Sequence, residues 1–465
     1  MRPGIELDGK RVLVVGLART GVATARFCAA RGARVTATDD RPAEQLADAV
    51  QQLRKIGCTL AFGRDVITNF AAQDLIVPSP GVPSNHPGLA AARQAGVPVW
   101  SEIELAWRFL RGRLIGVTGS NGKTTTTSLI GHILAGSGKQ VMVAGNIGTP
   151  LIAYADQSDD KTMTVAEVSS FQLELIDSFR PDISVLLNLT PDHLDRHASF
   201  EDYAGAKARI FENQTERDAA IINADDPAAT ELAPSRPQIF WFSRTKRVAS
   251  GAYLRGTQII FRRDGENTVL LDRADIGLRG EHNLENVLAS ASAAFLAGVA
   301  SAEIAAGVRS FPGVEHRLEF VTKISGVNFF NDSKATNVDA TVKALESFSG
   351  GLLVILGGKD KGSDYGPLVP LLRERAKVVL LIGAAAEKIA AQLGGAIPLE
   401  RAETLQRAVA LAYEHAREGD TVLLAPACAS FDQFEDYEHR GRTFKQLVRA
   451  LAEEPRPLHA RGREV

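Results

Sequence analysis

Short runs of aliphatic and β-branched residues recur along the chain, and each is followed by a longer segment with the apolar spacing of a helix. The runs near the amino terminus are KRVLVVG, ARVTATDD and DLIVPSPG. Those in the middle are RLIGVTG, QVMVAGN, MTVAEVS, ISVLLNL and AAIINAD, and those near the end are GLLVILGG, KVVLLIG and DTVLLAPA. This alternation predicts parallel sheets with crossover helices.

The runs fall into three groups, which predicts an α/β protein of three domains, each built on a largely parallel sheet. The predicted domains are residues 1–112, Rossmann-like; 113–311, like a P-loop ATPase; and 312–465, again Rossmann-like. The expected boundaries are Arg111–Arg113 and the turn FPGVEHR at Phe311–Arg317. Alternation between Gln238 and Gly280 predicts antiparallel strands, and the alanine-rich stretch Ala289–Gly307 predicts a buried helix.

Composition narrows the class of protein. A length of 465 residues suggests about three domains. Lys plus Arg is 53 against 55 for Asp plus Glu, a net charge of −2, and such a balance argues against a nucleic-acid binder. Three scattered cysteines, a charged amino terminus and no long apolar run predict a cytoplasmic protein with reduced thiols and no membrane span. We expect a monomer.

The stretch VTGSNGKTTTT follows a predicted strand and opens a predicted helix, which is the setting of a phosphate-binding loop. Glycine-rich backbone amides and a helix amino terminus attract an anion. Lys123 would neutralise the β- and γ-phosphates, and the Thr124 hydroxyl would bind Mg²⁺. The common pattern needs a glycine at Val117, whereas the chain has it at Gly116, so the loop is a specialised variant, T-G-x-N-G-K-T-T.

The first predicted domain carries an altered dinucleotide fingerprint, VLVVGLARTGVATARF. Gly16 and Gly21 occupy the outer glycine positions, but Ala18 occupies the middle one, which weakens the case for NAD. Asp39, with Arg41 two residues later, lies where ribose recognition is usual. A nucleotide bound in a modified manner is favoured, and a Rossmann-like domain without nucleotide remains the alternative.

Polar residues at two further predicted strand ends point toward the phosphate loop. Glu167 ends a strand and offers the hard oxygen that Mg²⁺ prefers, and His193 follows the next strand. His193 and His197 have the spacing of a zinc motif, but no Glu stands at position 194, so zinc is disfavoured. The pattern alone predicts a surface position for His197 and an ordinary solvated lysine at Lys207.

Taken together, these residues resemble the Mur ligase family of ATP-dependent amino-acid-adding enzymes. The resemblance spans the chain and rests on motifs in the family's order: TGSNGKTTT, GNIGTP, AEVSSFQLE, NLTPDHLDRH, NADDP, GEHNLENVLAS, GVEHRLEF, NDSKATN and LLAPACASFDQF. Within the family it resembles the member that adds D-glutamate to UDP-N-acetylmuramoyl-L-alanine in peptidoglycan synthesis. The Asp-Asn-Pro-Arg signature of members that add diaminopimelate or lysine is absent.

The resemblance implies a role for each matching residue, with ATP and Mg²⁺ as cofactors. The implied catalytic residues are Lys123, His193, Lys207, Arg317 and Lys334. ATP is implied to contact Gly119, Ser120, Asn121, Gly122, Lys123, Thr124, Thr125, Asn283, Asn286, Arg317 and Asp332. The implied metal ligands are Thr124, Glu167, His193 and Lys207, the last as a carbamate.

The same resemblance implies two substrate-binding sets. The UDP-sugar set is Arg19, Thr20, Asp39, Arg41, Ser79, Gly81 and Asn146, and Asp40 departs from the family at a position sometimes held by a hydroxyl. The D-glutamate set is Thr336, Lys361, Ser430, Phe431 and Tyr437. Phe431 could equally pack in the core, and Cys428 is expected to be a buried structural thiol.

Three other functions compete with this interpretation. A folylpolyglutamate synthase-like ligase would share the loop but has no reason to carry the Asp39 and Arg41 domain. A P-loop ATPase or switch module would hydrolyse ATP without any amino acid. An NAD oxidoreductase is discounted by Ala18.

Overall fold

The structure is a computed structural model, and it describes residues 4–63, 69–146, 148–193, 196–395 and 397–453. The motifs GNIGTP and NLTPDHLDRH each include residues outside these ranges. The chain divides into two compact units. The first comprises residues 1–277 and 285–311, and the second comprises 278–284 and 312–465.

A parallel four-stranded sheet opens the first unit, with strand order β3-β2-β1-β4. Its β-branched strands are buried because helices cover both faces. The strands are β1 Arg11–Val15, β2 Arg34–Asp39, β3 Thr59–Phe62 and β4 Leu75–Pro78. The helices are α1 Arg19–Ala29, α2 Ala47–Lys55, α3 Pro87–Gln94 and α4 Glu102–Phe109.

A nine-stranded sheet forms the rest of the first unit, in the order β13-β12-β11-β10-β9-β8-β5-β7-β6. The strands are β5 Arg113–Thr118, β6 Val141–Gly145, β7 Met163–Glu167, β8 Ile183–Leu186, β9 Ala219–Asn223, β10 Gln238–Ser243, β11 Gly251–Arg255, β12 Gln258–Arg263 and β13 Glu266–Asp272. The helices are α5 Lys123–Gly136, α6 Ser170–Leu173, α7 Phe200–Ala208, α8 Pro227–Glu231, α9 Glu281–Leu296 and α10 Ser301–Ser310.

Two sequence predictions need correction in this region. The segment Gln238–Gly280 is only partly antiparallel, because β10 and β11 extend the parallel sheet and only β12 runs against its two neighbours, β11 and β13. The apolar stretch Ala289–Gly307 is two helices, α9 and α10, and not one. Gly298, with φ +84°, lies in the turn between them.

Helix α4 attaches the four-stranded sheet to the nine-stranded one through two buried glutamates. Glu104 Oε2 accepts hydrogen bonds from three consecutive backbone amides, those of residues 177–179, at 2.7–3.0 Å. Glu102 Oε1 accepts from Ile152 N at 2.6 Å. Ile152 belongs to a 3-10 helix, Leu151–Gln157, that follows the GNIGTP loop. Hydrogen bonds to fully buried carboxylates make this junction a fixed one.

The second unit holds a six-stranded sheet in the order β14-β15-β19-β16-β17-β18, parallel except for β14. Its strands are β14 Glu319–Ile324, β15 Val327–Asn331, β16 Leu352–Gly357, β17 Ala376–Ile382, β18 Leu399–Glu403 and β19 Thr421–Leu424. Its helices are α11 Val338–Glu346, α12 Val369–Arg375, α13 Ala386–Leu393, α14 Leu405–His415 and α15 Tyr437–Glu453. Alternate residues of β16 enter separate apolar clusters on the two faces.

The described helices include none with both the length and the apolar character that a bilayer crossing requires.

Candidate active site

The phosphate loop connects β5 to α5 in a turn that only glycine permits at two positions. Gly119 has φ +146° and Gly122 has φ +85°. A Cβ on Gly119 would lie 2.9 Å from Leu187 Cβ, and one on Gly122 would lie 2.2 Å from Asn286 Oδ1. The turn therefore places its backbone amides at the amino terminus of α5, where the helix dipole favours an anion.

Two lysine side chains converge on the same carbonyl oxygen of this loop. Lys123 Nζ donates to Gly119 O and Ser120 O, both at 2.8 Å, and Lys207 Nζ donates to Gly119 O at 2.9 Å. Lys207 is only 2% exposed. Burial, and secondarily the charge of Lys123, holds the pKa of Lys207 well below its usual range. The prediction from pattern that Lys207 is a solvated lysine is wrong.

The carboxylate and hydroxyls needed for a divalent cation are present beside the loop. Glu167, at the end of β7, is buried, and Asn146 Nδ2 donates to its Oε1 at 3.0 Å. Its other oxygen, Oε2, is buried without a hydrogen-bond partner among the described residues, as is Thr125 Oγ1. Thr124 is also buried, one residue into α5. Hard oxygen donors such as carboxylates and hydroxyls suit Mg²⁺.

Residues of the NLTPDH segment support the loop from the neighbouring strand. Asn188 Oδ1 accepts from Asn121 N at 2.8 Å, and Asn188 Nδ2 donates back to Asn121 O at 3.1 Å. Ser120 Oγ lies 2.9 Å from the hydroxyl of buried Tyr203, on α7. Sequence analysis assigned no role to Asn188 or Tyr203. Asn188 could have been found, since it lies in a quoted motif directly after β8.

The two histidines after this segment differ in their surroundings. His193 has φ +54°, a half-exposed ring, and an edge contact with Phe171 at 5.0 Å between ring centroids. His197 is buried, with Nε2 3.0 Å from Ser170 Oγ and Nδ1 3.2 Å from Glu174 Oε1. The predicted surface position of His197 is therefore wrong. Burial lowers the pKa of His197 against the opposing charge of Glu174, which favours the neutral ring.

The altered fingerprint of the first sheet forms a tight turn around Gly16. A Cβ on Gly21 would lie 1.9 Å from Gly16 O, so helix and strand approach too closely for any other residue. Asp39 Oδ2 accepts from Leu17 N at 2.7 Å, and Arg41 binds the same carboxylate through Nε and Nη2 at 2.9 and 2.8 Å. Burial opposes ionisation of Asp39, but these hydrogen bonds prevail and lower its pKa.

The other residues predicted to bind the UDP-sugar lie around this turn. Arg19 and Thr20 open α1, and Arg19 lines a cavity of about 680 Å³ together with residues 148–150. Ser79 Oγ donates to Gly16 O at 2.7 Å. Gly81 O accepts from Arg196 Nη1 at 3.1 Å, which connects the four-stranded sheet to the segment after His193. Arg196 is a contact that sequence analysis missed.

In the second unit, Arg317 and Asp332, both predicted to bind ATP, lie at the same end of the antiparallel strands β14 and β15. Arg317 precedes β14, and Asp332 follows β15 and accepts from Leu318 N at 3.1 Å. Burial raises the pKa of Asp332 to about 6, against the opposing charge of Arg317. Lys334 Nζ lies 5.5 Å from the centroid of the Tyr437 ring. Asn283, near the start of α9, donates to Arg279 O at 2.6 Å.

Asn283 and Asn286 share a helix but have different contacts. Asn286 Oδ1 accepts from Thr126 Oγ1 at 3.3 Å and reaches the phosphate loop at Gly122. Asn286 therefore lies beside the phosphate loop, which is a position suited to its predicted contact with ATP.

The residues predicted to bind D-glutamate lie on loops after three adjacent parallel strands, β15, β19 and β16. Thr336 follows β15, Ser430 follows β19, and Lys361 follows β16. Ligands of parallel α/β sheets bind at this carboxyl edge. Phe431 is 66% exposed, so the alternative of core packing is excluded. Tyr437 opens α15, and its carbonyl oxygen accepts from Ser333 Oγ at 2.7 Å.

Buried Arg440, on α15, joins the first two of these loops. Its guanidinium donates to Ser333 Oγ and O at 3.0 and 2.8 Å, and to Cys428 O and Ala429 O at 3.1–3.4 Å. Burial lowers its pKa to about 10. Arg440 was not predicted, because an arginine on an amphipathic helix gives no signal of burial. Cys428 is buried, as predicted.

Comparison with known families gives three matches in chain order. Residues 10–101 match the Mur ligase MurD-like N-terminal domain. Residues 117–294 match the Mur ligase middle domain, and residues 316–428 match the Mur ligase glutamate ligase domain. The phosphate loop and Glu167 lie in the middle match, and Lys361 lies in the last.

Individual relatives agree with these matches over nearly the whole chain. A UDP-N-acetylmuramoylalanine–D-glutamate ligase of Koribacter versatilis is 54% identical over 97% of this chain and 99% of its own. One of the same name from Acidobacterium capsulatum is 54% identical over 96% of this chain and 97% of its own. Among solved structures, the MurF ligase of Thermotoga maritima in complex with ADP has the same fold, with a TM-score of 0.61 and 17% identity over 90% of this chain and 96% of its own. The chain belongs to the Mur ligase family of ATP-dependent, amide-forming ligases.

Proposed function

We propose that this chain joins D-glutamate to UDP-N-acetylmuramoyl-L-alanine at the expense of ATP, a step of peptidoglycan precursor synthesis. The similarity to relatives named for this reaction supports the proposal at 45–54% identity. One observation in the structure carries it: Lys123 and Lys207 both donate to Gly119 O, beside the buried carboxylate of Glu167. Two amines and a carboxylate at a phosphate loop suit phosphoryl transfer.

The proposed chemistry begins with the L-alanine carboxylate of the UDP-sugar. Its oxygen attacks the γ-phosphorus of ATP, ADP leaves, and an acyl phosphate forms. The D-glutamate amine then attacks the acyl carbon, phosphate leaves, and the amine releases a proton. A free carboxylate is a poor acyl donor because its leaving group would be an oxide, and phosphorylation removes that obstacle. Lys123, Arg317 and Lys334 would neutralise the charge of the transferring group.

Mg²⁺ would supply Lewis-acid stabilisation of the phosphate oxygens when it is bound. The residues proposed to hold it are Thr124, Glu167, His193 and a carbamylated Lys207. The buried Oε2 of Glu167, which has no hydrogen-bond partner in the described part of the chain, supports this assignment. The depressed pKa of Lys207 does so too, because an uncharged amine can add carbon dioxide and thereby become an anionic oxygen donor.

The remaining site assignments form three proposed groups, one for each proposed domain. Residues 1–112 would bind the UDP end through Arg19, Thr20, Asp39, Arg41, Ser79 and Gly81, with Asn146 beside them. Residues 113–311 would bind ATP through the phosphate loop, Asn283 and Asn286. Residues 312–465 would bind D-glutamate through Thr336, Lys361, Ser430, Phe431 and Tyr437, and Arg317 and Asp332 are the further residues proposed to contact ATP.

We also propose a cytoplasmic monomer. All three cysteines are buried and unbridged, which suits a reducing compartment. The large apolar side chains exposed among the described residues are Ile56, Val269, Phe320 and Phe431, which lie far apart in the sequence. Scattered apolar residues need no partner surface. Sedimentation of the purified protein as a dimer would contradict the proposed monomeric state.

The test of function is an ADP-release assay with UDP-N-acetylmuramoyl-L-alanine and a panel of amino acids. We expect release only with both this substrate and D-glutamate. Equal turnover with L-lysine or diaminopimelate would overturn the D-glutamate assignment. ADP release without any amino acid would instead favour a simple ATPase.

A further inference from the structure

A buried row of side chains joins two of the loops that carry the proposed D-glutamate-binding residues. Tyr365 is fully buried, and its hydroxyl lies 2.9 Å from Asp360 Oδ1 and 3.0 Å from Cys428 Sγ. Asp360 immediately precedes Lys361, and Cys428 stands two residues before Ser430. One phenol oxygen therefore bridges the Lys361 loop and the Ser430 loop.

The direction of these hydrogen bonds follows from what each group can donate. A carboxylate only accepts, so Tyr365 gives its single hydroxyl hydrogen to Asp360. The thiol of Cys428 must then donate to the phenol oxygen. Burial raises the pKa of Cys428 to about 11, so the thiol keeps the hydrogen this requires. Lys388, on α13, holds the far oxygen of Asp360 at 2.7 Å.

A backbone bridge fixes the same two loops at a second point. Lys359 N donates to Ala429 O at 2.8 Å, and Ala429 N donates to Lys359 O at 3.2 Å. Asp360 Oδ1 also accepts from Ser363 N at 3.1 Å, which closes the turn around exposed Lys361. Gly357 N also donates to Pro426 O at 2.8 Å. Of these attachments, the phenol oxygen of Tyr365 is the one that contacts the side chain of the residue next to Lys361.

We propose that Tyr365 is a positioning residue, which holds Lys361 at a fixed place relative to Ser430 in the amino-acid-binding site. The inference rests on the proposed function. A dicarboxylate bound by a cation and a hydroxyl needs their separation held constant, and small displacements of binding groups are costly. Loss of the phenol oxygen should therefore weaken binding of the incoming amino acid and leave the phosphate loop, which lies in the other unit, unaffected.

The test compares Tyr365→Phe with Tyr413→Phe in steady-state assays that vary each substrate in turn. Tyr413 is a buried tyrosine of the same unit, on α14 against the opposite face of the sheet, with its hydroxyl 3.2 Å from Ser325 Oγ. We expect Tyr365→Phe to raise the KM for D-glutamate about three- to tenfold, since it removes a hydrogen bond to a charged group. The KM values for ATP and the UDP-sugar should stay within about twofold. Tyr413→Phe should leave all three KM values unchanged.

Cys428→Ala and Cys428→Ser test the other end of the row and replace Tyr365→Phe if that variant does not fold. The alanine variant should raise the KM for D-glutamate, and the serine variant, which keeps a donor, should restore it. An unchanged KM in Tyr365→Phe, or an equal rise for all substrates, would overturn the positioning role. A wild-type protein without D-glutamate dependence would instead overturn the proposed function, so the two failures are distinct.

Discussion

Buried Lys207 shows how far its surroundings can change the usual protonation chemistry of a lysine. Lys207 is the eighth of nine residues in α7, a helix whose sequence gives no sign that this position faces inward. Burial and the charge of Lys123 disfavour its ammonium form, and the opposing charges of Asp192 and Glu167 do not offset them. A buried amine with a lowered pKa suits conversion to a carbamate, which would attract a cation that the ammonium would repel.

We predict that Lys207→Ala removes most of kcat while the protein remains folded, because the side chain faces the phosphate loop. A small carboxylate such as acetate should partly restore activity by filling the vacated space with an oxygen donor, and chloride at equal ionic strength should not. Turnover measured with each salt checks this, with circular dichroism for folding. A fully active Lys207→Ala protein would exclude the carbamate role.

Arg41 offers a second test at the scale of one residue. It binds Asp39 through two nitrogens, yet about half of its side chain is exposed toward solvent and any ligand. We predict that Arg41→Ala raises the KM for the UDP-sugar and leaves the KM for ATP unchanged, as steady-state kinetics would measure. Arg401→Ala is the matched control, because Arg401 binds exposed Glu387 in the same two-nitrogen manner. An effect of Arg41→Ala on the KM for ATP alone would contradict the assignment.

At the scale of elements, the strands were the most predictable part of the molecule. The cores of runs such as RLIGVTG and GLLVILGG are apolar on both faces because both sheet faces are covered, and β5 and β16 lie where these runs predict. The strands that follow β9 in the nine-stranded sheet were less predictable. The alternation of apolar and polar residues looks the same in β10, which is parallel to β9, and in β12, which runs the opposite way. Pairing direction depends on how a connection returns to the sheet, which local sequence does not encode.

Site residues were predictable where a sequence motif fixes the backbone conformation. They were unpredictable where their role depends on burial by the tertiary structure. Gly119, Gly122 and Glu167 follow from strand ends and glycine chemistry alone. Arg440 and His197 do not, because an arginine or histidine is usually exposed, and only the tertiary packing of α15 and of the segment before α7 buries them. The roles of the matching residues came from family resemblance, and stay predictions.

The phosphate loop yields a prediction at the scale of an element. Gly122→Ala would place a Cβ at φ +85° and 2.2 Å from Asn286 Oδ1, so the loop must shift. We expect a raised KM for ATP and a lower kcat. Gly136→Ala, at the other end of α5, meets no atom within 4 Å and should stabilise the fold by about 0.4–1 kcal/mol without affecting kinetics. Equal kinetics for the two variants would contradict the loop's role.

At the scale of the whole molecule, the junction of the first two sheets contains an ionisable group that is buried away from solvent. Glu102, the first residue of α4, is 1% exposed and holds Ile152 N through one oxygen, while its second oxygen has no partner among the described residues. Burial raises the pKa of Glu102 to about 7, despite the opposing hydrogen bonds from Ile152 and Leu151. Part of the attachment of α4 thus depends on the protonation state of Glu102, beside the three hydrogen bonds that Glu104 accepts.

This burial sets the sign of a pH effect on stability. Between its usual pKa of 4.5 and about 7, Glu102 is protonated in the folded state and ionised in the unfolded state. The folded state then binds more protons, so the contribution of Glu102 to stability falls as pH rises through this window and is constant above it, a loss of at most about 3 kcal/mol.

We predict that Glu102→Gln, which stays neutral, gains Tm relative to the wild type as pH is raised from about 5 to about 8. Scanning calorimetry of both proteins measures this difference, and Glu414→Gln, at an exposed position of α14, should show none. A Tm difference for Glu102→Gln that does not change with pH would mean that the carboxyl group is already ionised at the junction at low pH.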